Sequence, residues 1–275
     1  MDELTKSNGG KMRLKILLII LGILVIIFGI VFWQYGPSSQ AAKGGAKGKP
    51  KATPTATVSA KPSATGITTP TSMTTPAPTS TTSLFSDDFS SALAKWQQVY
   101  DGYGTITIQD GRLSMEPKVS TQSSETHAPL LMAGNSTWGD YVYMVRMNTV
   151  KQLRTGSPAN HWEVGWITFR MQDASRSYYF LQKPNGIELG KYIPESPYQY
   201  FLYTADNPKL TFGVWNTYKI AVKGANIKIW INGTQVVDYM DPGGATGPGP
   251  WLTGKIGLYN EDAHVLYDDV LVTSN

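Results

Sequence analysis

The sequence contains no cysteine, which excludes disulfides, thiolate metal sites and thiol nucleophiles together. Histidine is scarce, with only His127, His161 and His264, so proton transfer has few ready carriers. Acids are nearly missing from the first 83 positions, where Asp2 and Glu3 stand against nine of the 24 Lys and Arg. The other 192 residues hold 15 bases and 18 acids. The overall charge of +4 therefore belongs to the N-terminal part, and the remainder has no basic footprint for nucleic acid. Sustained helical periodicity and internal repeats are also missing after residue 83, which argues against helical bundles and propellers.

Ile16 to Trp33 is an unbroken run of 18 apolar or glycine residues, enough to cross a hydrocarbon core of roughly 30 Å as a helix. Trp33 and Tyr35 suit its interface. The expected organisation is a cytoplasmic tail over 1–15, a transmembrane helix over 16–35, a stalk over 36–83 and a folded domain over 84–275. Lys11, Arg13 and Lys15 lie against the helix and place the N-terminus inside and the domain outside. The alternative is a signal peptide cleaved near Ala41 and a secreted domain. Residues 36–83 are rich in Thr, Pro, Ser, Ala and Lys and cannot bury enough apolar surface to fold. As extended chain they reach at most roughly 150 Å.

From Leu84 aromatics become dense and turn signals recur every eight to twelve residues. Expected strands cover 104–108, 112–116, 129–133, 141–148, 162–171, 177–182, 187–192, 200–203, 218–222, 227–231, 235–239, 255–259 and 264–272. "NIKIWINGTQVVDYM" alternates with period two around Asn232-Gly233, a two-residue hairpin turn, and "QDGRL" repeats the signal at Asp110-Gly111. The fold class is all-β, a two-sheet jelly-roll sandwich.

An ordered set of motifs sharpens this. "LFSDDFSSALAKWQQV", "ITIQDGRLSMEP", "WNTYKIAVKGANIKIWINGTQVVDYMD" and "GKIGLYNEDAHVLYDDVLV" together resemble the concanavalin A-like lectin/glucanase superfamily, in the order of its laminin-G-like and 3-keto-disaccharide-hydrolase-like members. The resemblance implies a curved double sheet with a glycan-binding concave face. It also implies first and last strands that lie side by side, and a structural Ca²⁺ on the convex side of many members. The E-x-D-x-x-E strand of the family-16 glycosidase branch is missing. A retaining two-carboxylate mechanism needs carboxyls about 5–5.5 Å apart, and no strand here offers them by itself.

The stretch "HWEVGWITFRMQDASRSYYFLQKPNGIELGKY" is richest in functional groups. Strand alternation puts Trp162, Val164, Trp166, Thr168 and Arg170 on one face, and the expectation is that Trp166 and Arg170 face outward. Trp166, Arg170, Tyr179, Lys183, Glu188 and Lys191 form the expected glycan-binding set, because rings stack on a pyranose and charged groups bond hydroxyls or uronates. Ordinary sandwich packing explains the same residues equally simply. Glu163, His161 and Arg170 are the catalytic candidates, with His264 beside Asp262 as another pair. In "AHVLYDDVLV" both strand faces look apolar, so Asp268 and Asp269 should be withdrawn from water, near Asp88. Backbone amides, a Lys or Arg, or Ca²⁺ would then partner them. Asn135 and Asn232 open glycosylation sequons. The first expectation is a surface-anchored, non-catalytic carbohydrate-binding or adhesion module with a polysaccharide or glycoconjugate partner. The alternatives are an anchored polysaccharide hydrolase or lyase, and a structural envelope domain that binds protein.

Overall fold

A computed structural model describes residues 81–195 and 198–275. The expected tail, transmembrane helix and all but the last residues of the stalk lie outside the described residues. Among the described residues no helix is long and apolar enough to cross a membrane.

These residues form two antiparallel sheets. The eight-stranded sheet holds β1 (Ser83–Asp87), β3 (Thr105–Gln109), β4 (Arg112–Glu116), β6 (Tyr141–Gln152), β11 (Asn216–Lys223), β12 (Asn226–Ile231), β13 (Thr234–Met240) and β15 (Ala263–Ser274). The seven-stranded sheet runs in the order β10 (Gln199–Ala205), β9 (Gly186–Tyr192), β8 (Arg176–Lys183), β7 (Gly165–Asp173), β14 (Lys255–Asn260), β5 (Pro129–Ala133), β2 (Gln97–Asp101). The all-β sandwich is thus as expected. β1 and β2 were not among the expected strands.

Local sequence sets the hairpins. Asp110-Gly111 and Asn232-Gly233 both have two positive φ angles, as a primed turn requires. The core fills the space between the sheets. From the first sheet come Tyr143, Val145, Tyr218, Ile220, Ile229, Val265, Tyr267, Val270 and Val272, and from the second Ile167, Phe169, Tyr178, Phe180, Leu189, Ile256 and Leu258. Most follow period two along their strands.

The exception is β15, which steps from Val265 and Tyr267 to Val270 and Val272. A register shift against β6 lies between Asp268 and Leu271, and Asp269 adopts φ 49°. This is a bulge, with one extra residue looped out so that the inward alternation restarts. Both strand faces look apolar in the sequence because the frame changes halfway. The expected withdrawal from water therefore holds for Asp268 and is corrected for Asp269. Asp268 and Asp269 point away from the core, with side-chain exposures of 13% and 54%. Their partner is Arg146, which donates to Asp269 at 2.9 Å and lies 3.6 Å from Asp268, with Arg112 at 3.9 Å. Both guanidiniums sit over Trp215. β1 does pair with β15, Asp87 facing Val270. Asp88 accepts from Ser90 N–H and Oγ, while Asp87 takes Trp96 Nε1 at 2.9 Å in the core. Among the described residues no three His, Asp or Glu are grouped to hold a metal ion. Asn135 and Asn232 are both exposed, and Asn232 Oδ1 accepts from Thr217 N–H of the neighbouring β11.

Candidate functional site

The outer face of the seven-stranded sheet bears a second, smaller set of aromatics. Val164, Trp166, Tyr179 and Leu181 pack with Trp162, Tyr192 and Tyr259, on the parity opposite to Ile167 and Phe169. Two glycines make room for them. A Cβ on Gly190 would meet Tyr179 Oη at 2.3 Å, and one on Gly257 would meet Thr168 Oγ1 at 2.4 Å. Side chains therefore lie across the sheet instead of standing on it, and a depression is left. The cleft, of about 160 Å³, is lined by Tyr100, Leu130, Trp166, Thr168, Met171, Ser177, Tyr179, Tyr192, Gln199, Tyr259 and Glu261 among others. Trp166 stacks at a tilt on Tyr179, centroids 4.8 Å apart, and meets Tyr259 edge-on at 5.4 Å. Tyr179 Oη donates to Glu188 Oε1 at 3.1 Å, and Lys183 holds the other oxygen of that carboxylate.

Glu261 is the acid at the cleft wall. Tyr259 Oη donates to its Oε1 at 2.6 Å. Burial pushes its carboxyl up to about 7; the Tyr259 bond opposes this, while the charges of Asp262, Glu163 and Glu188 add to it. Burial, followed by Glu261, pushes Tyr192 up to about 12. Behind Glu261 lies a buried network. Arg154 donates to Glu163 at 2.6 Å and to Asp262 at 2.7 Å, and none of the three side chains exceeds 1% exposure. Asp262 Oδ1 also accepts Ser120 Oγ at 2.6 Å and His127 N–H at 2.9 Å. Glu163 Oε2 is buried with no hydrogen-bond partner. One guanidinium against two carboxylates leaves net negative charge, and a like charge disfavours ionisation of the next acid. That charge adds to the effect of burial, which is the larger cause of the raised Glu261 carboxyl.

The structure brings together part of the expected set. Trp166, Tyr179, Lys183 and Glu188 share the outer face, but Trp166 and Tyr179 are 4% and 1% exposed, so they form a floor and not an open platform. Arg170 does not face outward with Trp166. β7 shifts register between Phe169 and Asp173, Arg170 takes φ 46°, and its guanidinium is fully buried. It donates to the carbonyls of Gly224, Trp251 and Gly139. Lys191 lies on the inner face, in a fully buried pair with Asp241 at 2.6 Å; Tyr178 donates to the same carboxylate. Glu163 pairs with Arg154, and His161 is exposed. His264 meets Ser114 at 3.0 Å instead of Asp262. Sequence reasoning missed Tyr100, Tyr192, Gln199, Tyr259 and Glu261 as site residues. A signal existed: in "KIGLYNED" Gly257, Tyr259 and Glu261 alternate with the core residues Ile256 and Leu258.

The model of a family described as the 3-keto-alpha-glucoside-1,2-lyase-like domain matches residues 80–273. No curated protein matches the sequence. Among solved structures, a Bacillus subtilis protein of unknown function with a galectin-like fold superposes with TM-score 0.52 at 13% identity, over 70% of this chain and 97% of its own. A structure from work on endo-acting O-glycanases of the human gut microbiota that initiate mucin breakdown superposes with TM-score 0.50 at 11% identity, over 70% and 100%. At these identities the likeness is one of fold.

Proposed function

Because the chain belongs to the 3-keto-alpha-glucoside-1,2-lyase-like family, within the concanavalin A-like superfamily that its motifs resemble, we propose that it binds carbohydrate in the cleft on the outer face of the seven-stranded sheet. Residues 1–83 then hold that domain at the outside of a cell membrane. The observation behind this reading is the cleft itself. It has a Trp166–Tyr179 floor, walls of Tyr100, Tyr192 and Tyr259, and few polar groups at its rim. Aromatic faces match the apolar faces of a pyranose, while Gln199, Ser177 and Glu261 can bond its hydroxyls. At about 160 Å³ it is well below a usual ligand site of about 300 Å³ or more, so it suits one ring. The test is a glycan array followed by calorimetry on the full-length chain, in a detergent without a sugar headgroup. We expect at least one carbohydrate to bind, with affinity reduced about tenfold or more by Tyr192→Ala. A flat array across neutral and acidic glycans would sink the reading.

Glu261 favours a second reading, that of a lyase or hydrolase. A carboxyl poised near neutral pH is suited to move a proton. In a 1,2-elimination the C2–H and C1–O bonds break, a C1=C2 double bond forms and the departing oxygen gains a proton. A 3-keto-glucoside, named by the family's description, is the first substrate to offer. Product that disappears in Glu261→Gln while binding persists would establish this activity. Binding without product from keto-glucosides, neutral glucans or uronates leaves the binding module.

A further inference from the structure

Beside the cleft lies a second hollow of about 420 Å³, lined by Gln98, Asp101, Tyr103, Thr126 and His127 among others, and it shares Tyr100 and Ala128 with the first. Its most exposed ring is Tyr103, 80% accessible. A bulky residue held out in water normally has little reason to sit in a costly backbone conformation. Tyr103 nonetheless takes φ 55°, a left-handed geometry that costs such a side chain on the order of 1–3 kcal/mol. The surroundings enforce it. Tyr103 N–H is held by Asp101 Oδ1 at 2.8 Å. On either side Gly102 and Gly104 press so closely on Pro129, Glu116 and Pro117 that a Cβ at either would come within 3 Å of them. The ring stands edge-on to His127 at 5.7 Å, and His127 is itself fixed by Ser120. The result is a fixed turn, closed by Gly104 N–H on Asp101 O at 3.3 Å, that holds an aromatic ring out in water beside the hollow.

We propose that this hollow is a second carbohydrate subsite, so that the ligand is a glycan chain of three or more units crossing Tyr100, with Tyr103 as the stacking plate for its outer rings. The inference rests on the sugar-binding reading of the cleft. The second hollow, at about 420 Å³ larger and more open than the cleft, has room for more than one ring, and the shared Tyr100 and Ala128 make the two continuous. The chemistry agrees, since Tyr103 and Tyr100 supply apolar faces, and Thr126, Asp101, Gln98 and the free edge of His127 supply hydroxyl partners. With the backbone of the turn already fixed, only the side-chain rotamer of Tyr103 is left to order on binding, which lowers the cost of association.

The experiment titrates the full-length chain, in a detergent without a sugar headgroup, with linear α- and β-linked glucan oligosaccharides of one to four units. For at least one series the unaltered protein should tighten from one unit to three and then level off. Tyr103→Ala should weaken the three-unit ligand about fivefold or more while the one-unit affinity and the melting temperature stay the same. Tyr103→Phe should behave like the unaltered protein, because the ring and not the hydroxyl does the stacking. Affinity independent of length, or an unchanged three-unit affinity in Tyr103→Ala, would overturn the second subsite and leave the cleft intact. No binding of any length in either series would remove the cleft reading and this inference with it.

Discussion

At the scale of single residues, Glu261 ties the site to pH. Its carboxyl is raised from 4.5 to about 7, first by burial, so the folded state holds the proton more tightly than the unfolded chain does. The stabilisation this gives is fully present below about pH 4.5 and is lost as the pH rises through 7, amounting to up to about 3 kcal/mol. Glu261→Gln keeps an acceptor for Tyr259 and removes the charge. It should match the unaltered protein near pH 4.5 and exceed it by up to that amount at pH 8, as read from denaturant midpoints. Parallel pH curves for the two proteins would show that Glu261 is ionised at an ordinary value. The residue was in plain view in the sequence, alternating with Gly257 and Tyr259, but the charge around it was not. Arg154 lies nine residues before Glu163 in the sequence and reaches both Glu163 and Asp262 only through the fold. Arg170 was misplaced for the complementary reason. Its side chain follows strand parity only if β7 is regular, and a register shift is not written in residue types.

At the scale of elements, the bulge at Asp268-Asp269 lets one strand serve three neighbours. β15 pairs with β6 along its length, with β4 before the bulge and with β1 after it. Asp suits the looped-out position because its short polar side chain tolerates the left-handed region, where β-branched residues do not. Asp269→Gly should therefore cost little, within about 1 kcal/mol, since the Arg146 pair is half exposed and such pairs are weak. Asp269→Val should cost about 1–3 kcal/mol. Unfolding midpoints measure both, and equal losses would mean that the arginine pair, not the backbone, fixes the bulge. Elements were otherwise largely legible. β4 and β5 match their expected ranges to the residue, because turn residues bound them on both sides. β1 and β2 escaped because neither has a clear apolar alternation of its own. They are strands by virtue of β15 and β5 beside them.

At the scale of the whole molecule, the two parts of the chain differ in charge as well as composition. The first 83 residues hold nine bases and two acids, the remainder 15 and 18. A mildly acidic domain is repelled by an anionic lipid surface, whereas basic residues beside an apolar run are retained on the cytoplasmic side. Both tendencies agree with the proposed arrangement, in which residues 1–83 hold the domain outside the cell. An uncleaved run of 18 apolar or glycine residues would keep the chain in the membrane through an alkaline wash, whereas cleavage near Ala41 would release it. Protease added to intact cells should cut first within residues 36–83, because their Thr-, Pro- and Ser-rich composition offers too little apolar surface for a protective core. The antiparallel sheets should resist. The expected result is a sedimenting full-length chain before protease and, after it, a soluble fragment that begins within residues 36–83 and still binds whatever carbohydrate the intact protein binds. Full-length chain in the wash supernatant would remove the anchor. A washed-out chain that begins near Ala42 would establish the secreted form in its place.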